Sequence, residues 1–296
     1  MQLGVHLPLM EFGGEGQSLA RLTRAVESAR DCGFAAVCAN DHFLFQRPWL
    51  DGLTALAAVI DRSGSMDLAT TVSLVALRGP VPLAKTLAAL DVLSEGRVIA
   101  GVGPGSSARD YNAVGVPYEE RWRRFDEAAA ILRALLRDEV PDTPLAPAPR
   151  RSGGVPVWIG SWGSPAGLRR VARLGDGWFA SAYNTTSSEF EAARRSLSEA
   201  LRARGRPSDR FPNALVTMWT WITDDSREAD RVLRDVLAPL LKRDPEALRD
   251  RVCIGPPEKC AQLLATYAKA GCERVYLWPL GDEPRQIELA ASVLAT

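Results

Sequence analysis

The strongest constraint on this chain is an alternation. Short apolar runs recur along it, and most are followed by a segment with helical periodicity. Gln2 to Leu7, Ala35 to Ala39, Asp67 to Ala76 and Arg97 to Val102 read as strands in the first half; Val155 to Ile159, Gly177 to Ala180, Asn213 to Thr223 and Arg274 to Trp278 do so in the second. They lack clean apolar–polar alternation, the pattern of strands buried on both faces of a parallel sheet. Ser18 is placed to cap a first helix whose face carries Leu19, Leu22, Val26 and Ala29, and Gly33 stops it. Further helices read over Leu53 to Ile60, Pro82 to Leu93, Arg121 to Arg137, Pro165 to Leu174, Ser188 to Arg204, Arg227 to Leu241, Pro257 to Ala270 and Pro284 to Leu294. About eight βα units predict one (β/α)8 barrel over residues 1–296. A doubly wound sheet is the rival, but it usually has fewer strands and a clear crossover. The Pro-rich stretch from Pro141 to Pro149 reads as a loop of the barrel.

Composition narrows the function classes. Lys plus Arg and Asp plus Glu number 36 each, so the chain is no generally basic nucleic-acid binder. No apolar run approaches the ~20 residues of a membrane span. Met1 to Leu9 lacks a preceding Lys or Arg and reads as a first strand, not a signal peptide. The five cysteines form no CxxC pair, which predicts reduced, packed thiols in a cytoplasmic protein and no metal site.

In a parallel barrel the chemistry sits beyond the C-terminal strand ends. The loops to search are therefore Asn40-Asp41-His42-Phe43, Leu77-Arg78-Gly79-Pro80, Gly101 to Ser107, Gly160-Ser161-Trp162-Gly163-Ser164 and Ser181 to Thr185. The only histidines are His6 and His42. His42 follows an Asp on a polar loop, where an imidazole can exchange protons near neutral pH or simply cap the loop. His6 lies within the first strand and reads as packed. The glycine-rich turns suit an anion, because backbone N–H groups can approach phosphate oxygens and Ser161 and Ser164 add hydroxyls. Gly103-Pro104-Gly105 lacks the third glycine of a dinucleotide fingerprint, with Ser106 in that stretch, so Rossmann binding is rejected. Arg121, Arg123 and Arg124 alternate with acids and read as a salt-bridged helix face. Trp49 and Trp162 are the two tryptophans to place near a ligand, with core or lid packing the alternative for both.

The chain resembles the bacterial-luciferase-like oxidoreductases, especially their deazaflavin-dependent branch. The matching pieces run in order: Asn40-Asp41-His42, Leu90 to Arg97, Gly101 to Gly105, Glu120-Arg121 with Phe125-Asp126-Glu127, Val157 to Gly160, and Asp176-Gly177-Trp178. The resemblance implies a (β/α)8 barrel binding coenzyme F420, a deazaflavin, or FMN. It implies that His42 donates a proton or positions substrate, with Asp41 holding the cofactor or the imidazole. It places the ring system on a bulge, often with a non-prolyl cis peptide, at the end of the third strand, where Thr70, Thr71, Val72 and Ser73 stand. It puts the phosphate end across Pro104, Gly105 and Arg109, and across Gly160, Ser161, Gly163 and Ser164. Family members often form dimers, so a homodimer acting on a small molecule is expected. Two departures stand out. Relatives that oxidise a sugar phosphate carry a Glu where this chain has Ser106, and the Asp138 to Gly154 segment is shorter than the usual lid, leaving an open site or one completed by a partner.

Three readings follow. The first is a deazaflavin-dependent oxidoreductase moving a hydride to or from a small organic substrate. The second is an FMN-using monooxygenase fed by a separate reductase. The third is a barrel without turnover, serving as a binding subunit.

Overall fold

A computed structural model describes residues 1–12, 14–140 and 144–294. The chain runs β1 (Gln2–His6), α1 (Leu19–Asp31), β2 (Ala36–Ala39), α2 (Gly52–Val59), β3 (Asp67–Thr70), α3 (Val75–Arg78), α4 (Pro80–Leu93) and β4 (Val98–Val102). It continues through α5 (Ala108–Ala113), α6 (Arg121–Leu136), β5 (Val157–Gly160), α7 (Pro165–Leu174), β6 (Gly177–Ser181), α8 (Ser187–Arg202) and β7 (Asn213–Ile222). The last part holds α9 (Ser226–Arg231), α10 (Ala238–Leu241), α11 (Pro245–Leu248), β8 (Cys253–Gly255), α12 (Pro257–Lys269), β9 (Arg274–Pro279) and α13 (Glu283–Leu294).

All strand pairings are parallel. β1 to β6 neighbour one another in order, β6 pairs β7, β7 pairs β9, and β9 returns to β1, which closes an eight-stranded (β/α)8 barrel. The short β8 attaches to the far end of β7, from Thr220 to Ile222. Side chains alternate along each stave. Ala36, Cys38, Ala69, Ile99, Trp158, Phe179, Ala214 and Tyr276 fill the barrel interior. Val5, Val37, Leu68, Val98, Val157, Leu215 and Val275 face outward into the layer shared with the helices. Near the seam where the ring closes, α1 is tied to α13 by the buried Arg21–Glu283 ion pair, its Nε–Oε2 arm at 3.2 Å. Losing one partner of such a pair costs about 3–5 kcal/mol, because the other charge stays buried.

The predicted helix starts largely hold for a local reason. The Ser18 hydroxyl accepts the Arg21 N–H, and Thr186 and Glu189 form a reciprocal capping box on α8. Four expectations change. The run from Asp67 to Ala76 is a strand only to Thr70; a cis peptide joins Thr71 to Val72, and the chain then turns into α3. The helix predicted from Pro82 begins at Pro80, and the helix over Arg227 to Leu241 is interrupted by a π-helical stretch at Val232–Leu237. The Asp138 to Gly154 segment is no lid. It precedes β5 and so belongs to the opposite end of the barrel, where the Arg151 N–H donates to Asp91 at 2.9 Å and its Nε to the Gly96 carbonyl at 2.8 Å. Its residues 141–143 lie outside the described residues. All five cysteines are free thiols, four of them buried. Among the described residues, no helix is long and apolar enough to cross a membrane.

Candidate active site

At the C-terminal mouth of the barrel lies a cavity of about 380 Å³. Its wall draws on the loops after β2, β3, β4, β5, β6 and on β7 itself. A broader hollow of about 530 Å³ at the other end is lined by residues such as Asp61, Leu93 and Arg97 and gathers no comparable set of polar loops.

His42 stands on this wall with its side chain 19% exposed. Its Nδ1 faces Asp110 Oδ2 at 2.9 Å, and the other Asp110 oxygen accepts the Leu44 N–H at 2.8 Å. Asp110 sits in the first turn of α5, whose start is fixed by the Ser107 cap. Burial pushes the Asp110 carboxyl up, but hydrogen bonds from His42, Leu44 and Phe43 outweigh it and the net shift is downward. A carboxylate on Nδ1 holds the proton there and leaves Nε2 as the nitrogen free for chemistry. Phe45 and Trp49 flank the ring at 4.9 and 4.8 Å between centroids.

Asp41 therefore does not hold the imidazole. It is buried and receives a two-pronged bond from Arg78, Nε to Oδ2 at 2.6 Å and Nη2 to Oδ1 at 2.7 Å, with the Leu74 N–H adding a third at 3.2 Å. Arg78 also pairs with Asp51, the cap of α2, and these carboxylates outweigh desolvation to push the guanidinium pKa up. This network locks the β2 loop to the end of β3.

The floor of the cavity is set by Val72 and two glycines. A Cβ on Gly103 would lie 2.6 Å from a Val72 methyl, and one on Gly160 would lie 3.0 Å from the other. Glycine at these two positions lets the ends of β3, β4 and β5 approach one another closely. Ser161 accepts the Gly163 N–H of its own loop at 3.3 Å, and Ser164 accepts the Gly167 N–H in the first turn of α7 at 3.2 Å. Each hydroxyl keeps its proton to donate. Ser164 also caps α7, so the positive end of that helix faces the same loop.

Two cations complete the wall. Arg121 stacks on Tyr118 at 4.1 Å and donates to its carbonyl at 3.1 Å; among the described residues no carboxylate pairs with it. Arg170 lies over Trp122 at 4.5 Å and is balanced by Asp126 at 2.6 Å. Arg123 and Arg124 do form the expected salt-bridged face with Glu120 and Glu127, whereas Arg121 turns into the cavity. Asn40 Oδ1 is buried on the same wall without a partner among the described residues. A glycine-floored cradle, an unused amide oxygen, free hydroxyls and an unpaired guanidinium fit a flat polar ring carrying a phosphate.

The description of luciferase-like monooxygenases matches residues 1–274. The chain belongs to the luciferase-like monooxygenase family. It spans about half the length of the first curated relatives it matches. An F420-dependent glucose-6-phosphate dehydrogenase from Kineococcus radiotolerans is 29% identical over 199 residues, 60% of this chain and 57% of that protein. The fold is shared with an F420-dependent secondary alcohol dehydrogenase solved with an F420–acetone adduct, at TM-score 0.85 and 18% identity, covering 99% of this chain and 97% of the other. It is shared too with the oxygenating constituent of 3,6-diketocamphane monooxygenase from Pseudomonas putida, solved with FMN, at TM-score 0.75 and 17% identity over 98% and 96% of the chains.

Within this luciferase-like barrel the residues expected from the sequence divide. Asp41, His42, Thr71, Pro104, Gly105, Gly160, Ser161 and Ser164 line one cavity. Ser73, Arg109 and Gly163 do not. Ser73 is buried, its N–H bound to the Gly101 carbonyl and its own carbonyl accepting from Gly103, so it braces the β3 end against β4. Arg109 is exposed on α5 and is not among the lining residues. Gly163 makes the left-handed turn, φ 90, between two lining residues, Trp162 and Ser164. Asp110, Tyr118 and Thr217 escaped the sequence reading, Arg121 was read as part of a salt-bridged face, and Tyr183 was reached only as part of the loop after β6. Asp110 lies 68 residues from its histidine, and only the closed fold brings them together. A usable cue existed for Arg121, which belongs to the Glu120-Arg121 piece of the family resemblance.

Proposed function

We propose that this chain is a deazaflavin-dependent oxidoreductase that moves a hydride to or from a small organic substrate. The observation that carries the proposal is the His42–Asp110 pair at the rim of a glycine-floored, cation-walled cradle. When bound, the deazaflavin supplies the hydride-carrying carbon. Val72, Gly103 and Gly160 would support its ring. Ser161, Ser164 and Arg121 would take its phosphate, with the start of α7 adding a favourable dipole. His42 would deliver a proton from Nε2 in the reductive direction, and Asp110 would steady the imidazolium and its orientation. Asp41 would act through Arg78, fixing the loop that carries His42.

Ser106 lines the cavity where some relatives carry a glutamate, so His42 is left as the acid–base group of the proposal and a sugar phosphate is disfavoured as substrate. The same cradle suits FMN, and the FMN-bound neighbour supports that second reading at the level of the fold. We further take the working unit to be a cytoplasmic homodimer. Fluorescence titration of the purified protein with coenzyme F420 and with FMN decides between cofactors. Tight F420 binding and weak FMN binding are expected; equal or tighter FMN binding overturns the choice. If neither raises the melting temperature at saturation, the binding-subunit reading takes over, because a ligand of the native state must stabilise it.

A further inference from the structure

Strand β7 breaks its own alternation. Ala214 and Val216 face the barrel interior, and Leu215 packs outward. A regular strand would then turn residue 217 outward and 218 inward. Instead the pairing with β9 slips between Leu215 and Met218, and Met218 joins Leu215 in the outer layer. Val216 and Thr217 consequently both line the mouth cavity. Thr217 reaches that position with φ 62. The other non-glycine residues with positive φ are Glu95, Asp138, Lys242 and Asp282, all at helix ends or turns. Among the described residues, Thr217 is the only one of these inside a strand, and the only β-branched one. That side-chain type is least suited to the left-handed region. The bulge also helps β7 pass from β6 to β8, but a glycine would serve that purpose without strain. The Thr217 hydroxyl has no hydrogen-bond partner among the described residues.

Around the closed ring, β3 and β7 stand opposite one another. Thr217 therefore faces the cavity across from Val72. We propose that Thr217 is a cofactor-contact residue, held in its unfavourable backbone so that its hydroxyl hydrogen-bonds a polar edge of the ring seated on Val72. Bulges beside active sites commonly re-aim a side chain in this way. The proposal rests on the ring-binding reading above. Deazaflavin and flavin share a pyrimidinedione edge, so that edge is the ligand chemistry assigned.

The test uses the intact chain, coenzyme F420 and FMN as separate probes, and the variants Thr217→Val, Thr217→Ser and Thr217→Gly. Thr217→Val keeps shape and backbone restriction but loses the hydroxyl. It should weaken binding of the preferred ring about fivefold to tenfold. Thr217→Ser should bind within twofold of wild type. Thr217→Gly should bind as weakly as Thr217→Val while melting no lower than wild type, because glycine accepts the backbone freely. Thr217→Val binding both rings within twofold of wild type overturns the contact and leaves the deazaflavin reading standing. A loss confined to FMN keeps the contact and overturns the deazaflavin reading. A wild type that binds neither ring overturns both.

Discussion

His6 and His42 lie on neighbouring staves, one inside β1 and one just beyond β2, yet their surroundings differ in every respect that sets imidazole chemistry. His6 has no exposed surface. It stacks on Trp278 with centroids 3.6 Å apart and rings 2° from parallel, and its Nδ1 meets the Leu7 carbonyl at 3.2 Å. Burial pushes its pKa down to about 3, against a smaller upward pull from that carbonyl. His42 has a carboxylate on one nitrogen and the cavity beside it. One ring is packed as an aromatic plate in the barrel; the other stands at the mouth with a carboxylate partner. Residue type does not decide between these roles; the available partner for the charged form does.

The largest expected effect tests the mouth histidine. His42→Asn retains size and some hydrogen bonding but cannot deliver a proton. Single-turnover hydride transfer to a substrate the wild type reduces should fall ~10²–10⁴-fold, with F420 affinity little changed. A loss under about threefold removes His42 from the chemistry and makes the two histidines alike.

A smaller effect tests the buried one. His6 has a folded pKa depressed below its unfolded value, so it is neutral in the fold and gains a proton on unfolding. Its contribution is complete above about pH 6.5 and is lost as pH falls toward about 3. As pH falls below 6.5 the loss should steepen toward a limit of about 1.4 kcal/mol of stability per pH unit. Urea melts of wild type and His6→Phe across that range should show a slope in the first and a flatter profile in the second. Parallel profiles would mean that His6 ionises within the fold.

The same contrast explains what was legible in the sequence. The staves were legible because burial on both faces leaves a continuous apolar run, and His6 was legible as a packed residue because it sits inside such a run. Thr71 to Ala76 misled because Thr and Val favour strands, yet beyond Thr70 the chain is tied to β4 through Ser73 and to Asp41 through the Leu74 N–H, and it turns into α3. Cys253–Gly255 was missed because three residues carry no period. At the mouth, the loops were found and their wiring was not. Asp41 is next to His42 in sequence but is taken up by Arg78, while Asp110 arrives from another βα unit. Strand ends are local information; side-chain partners across a barrel are not.

The most direct test of the whole account needs no substrate. The chain has two histidines, so a ¹³C-edited spectrum of its imidazole Cε1–H groups holds two signals, assigned with His42→Asn. Adding coenzyme F420 should move the His42 signal and leave the His6 signal in place. The His6 signal should stay that of a neutral ring down to pH 5. A His42 signal unmoved by saturating F420, or a His6 signal that protonates near pH 6.5, would contradict the account.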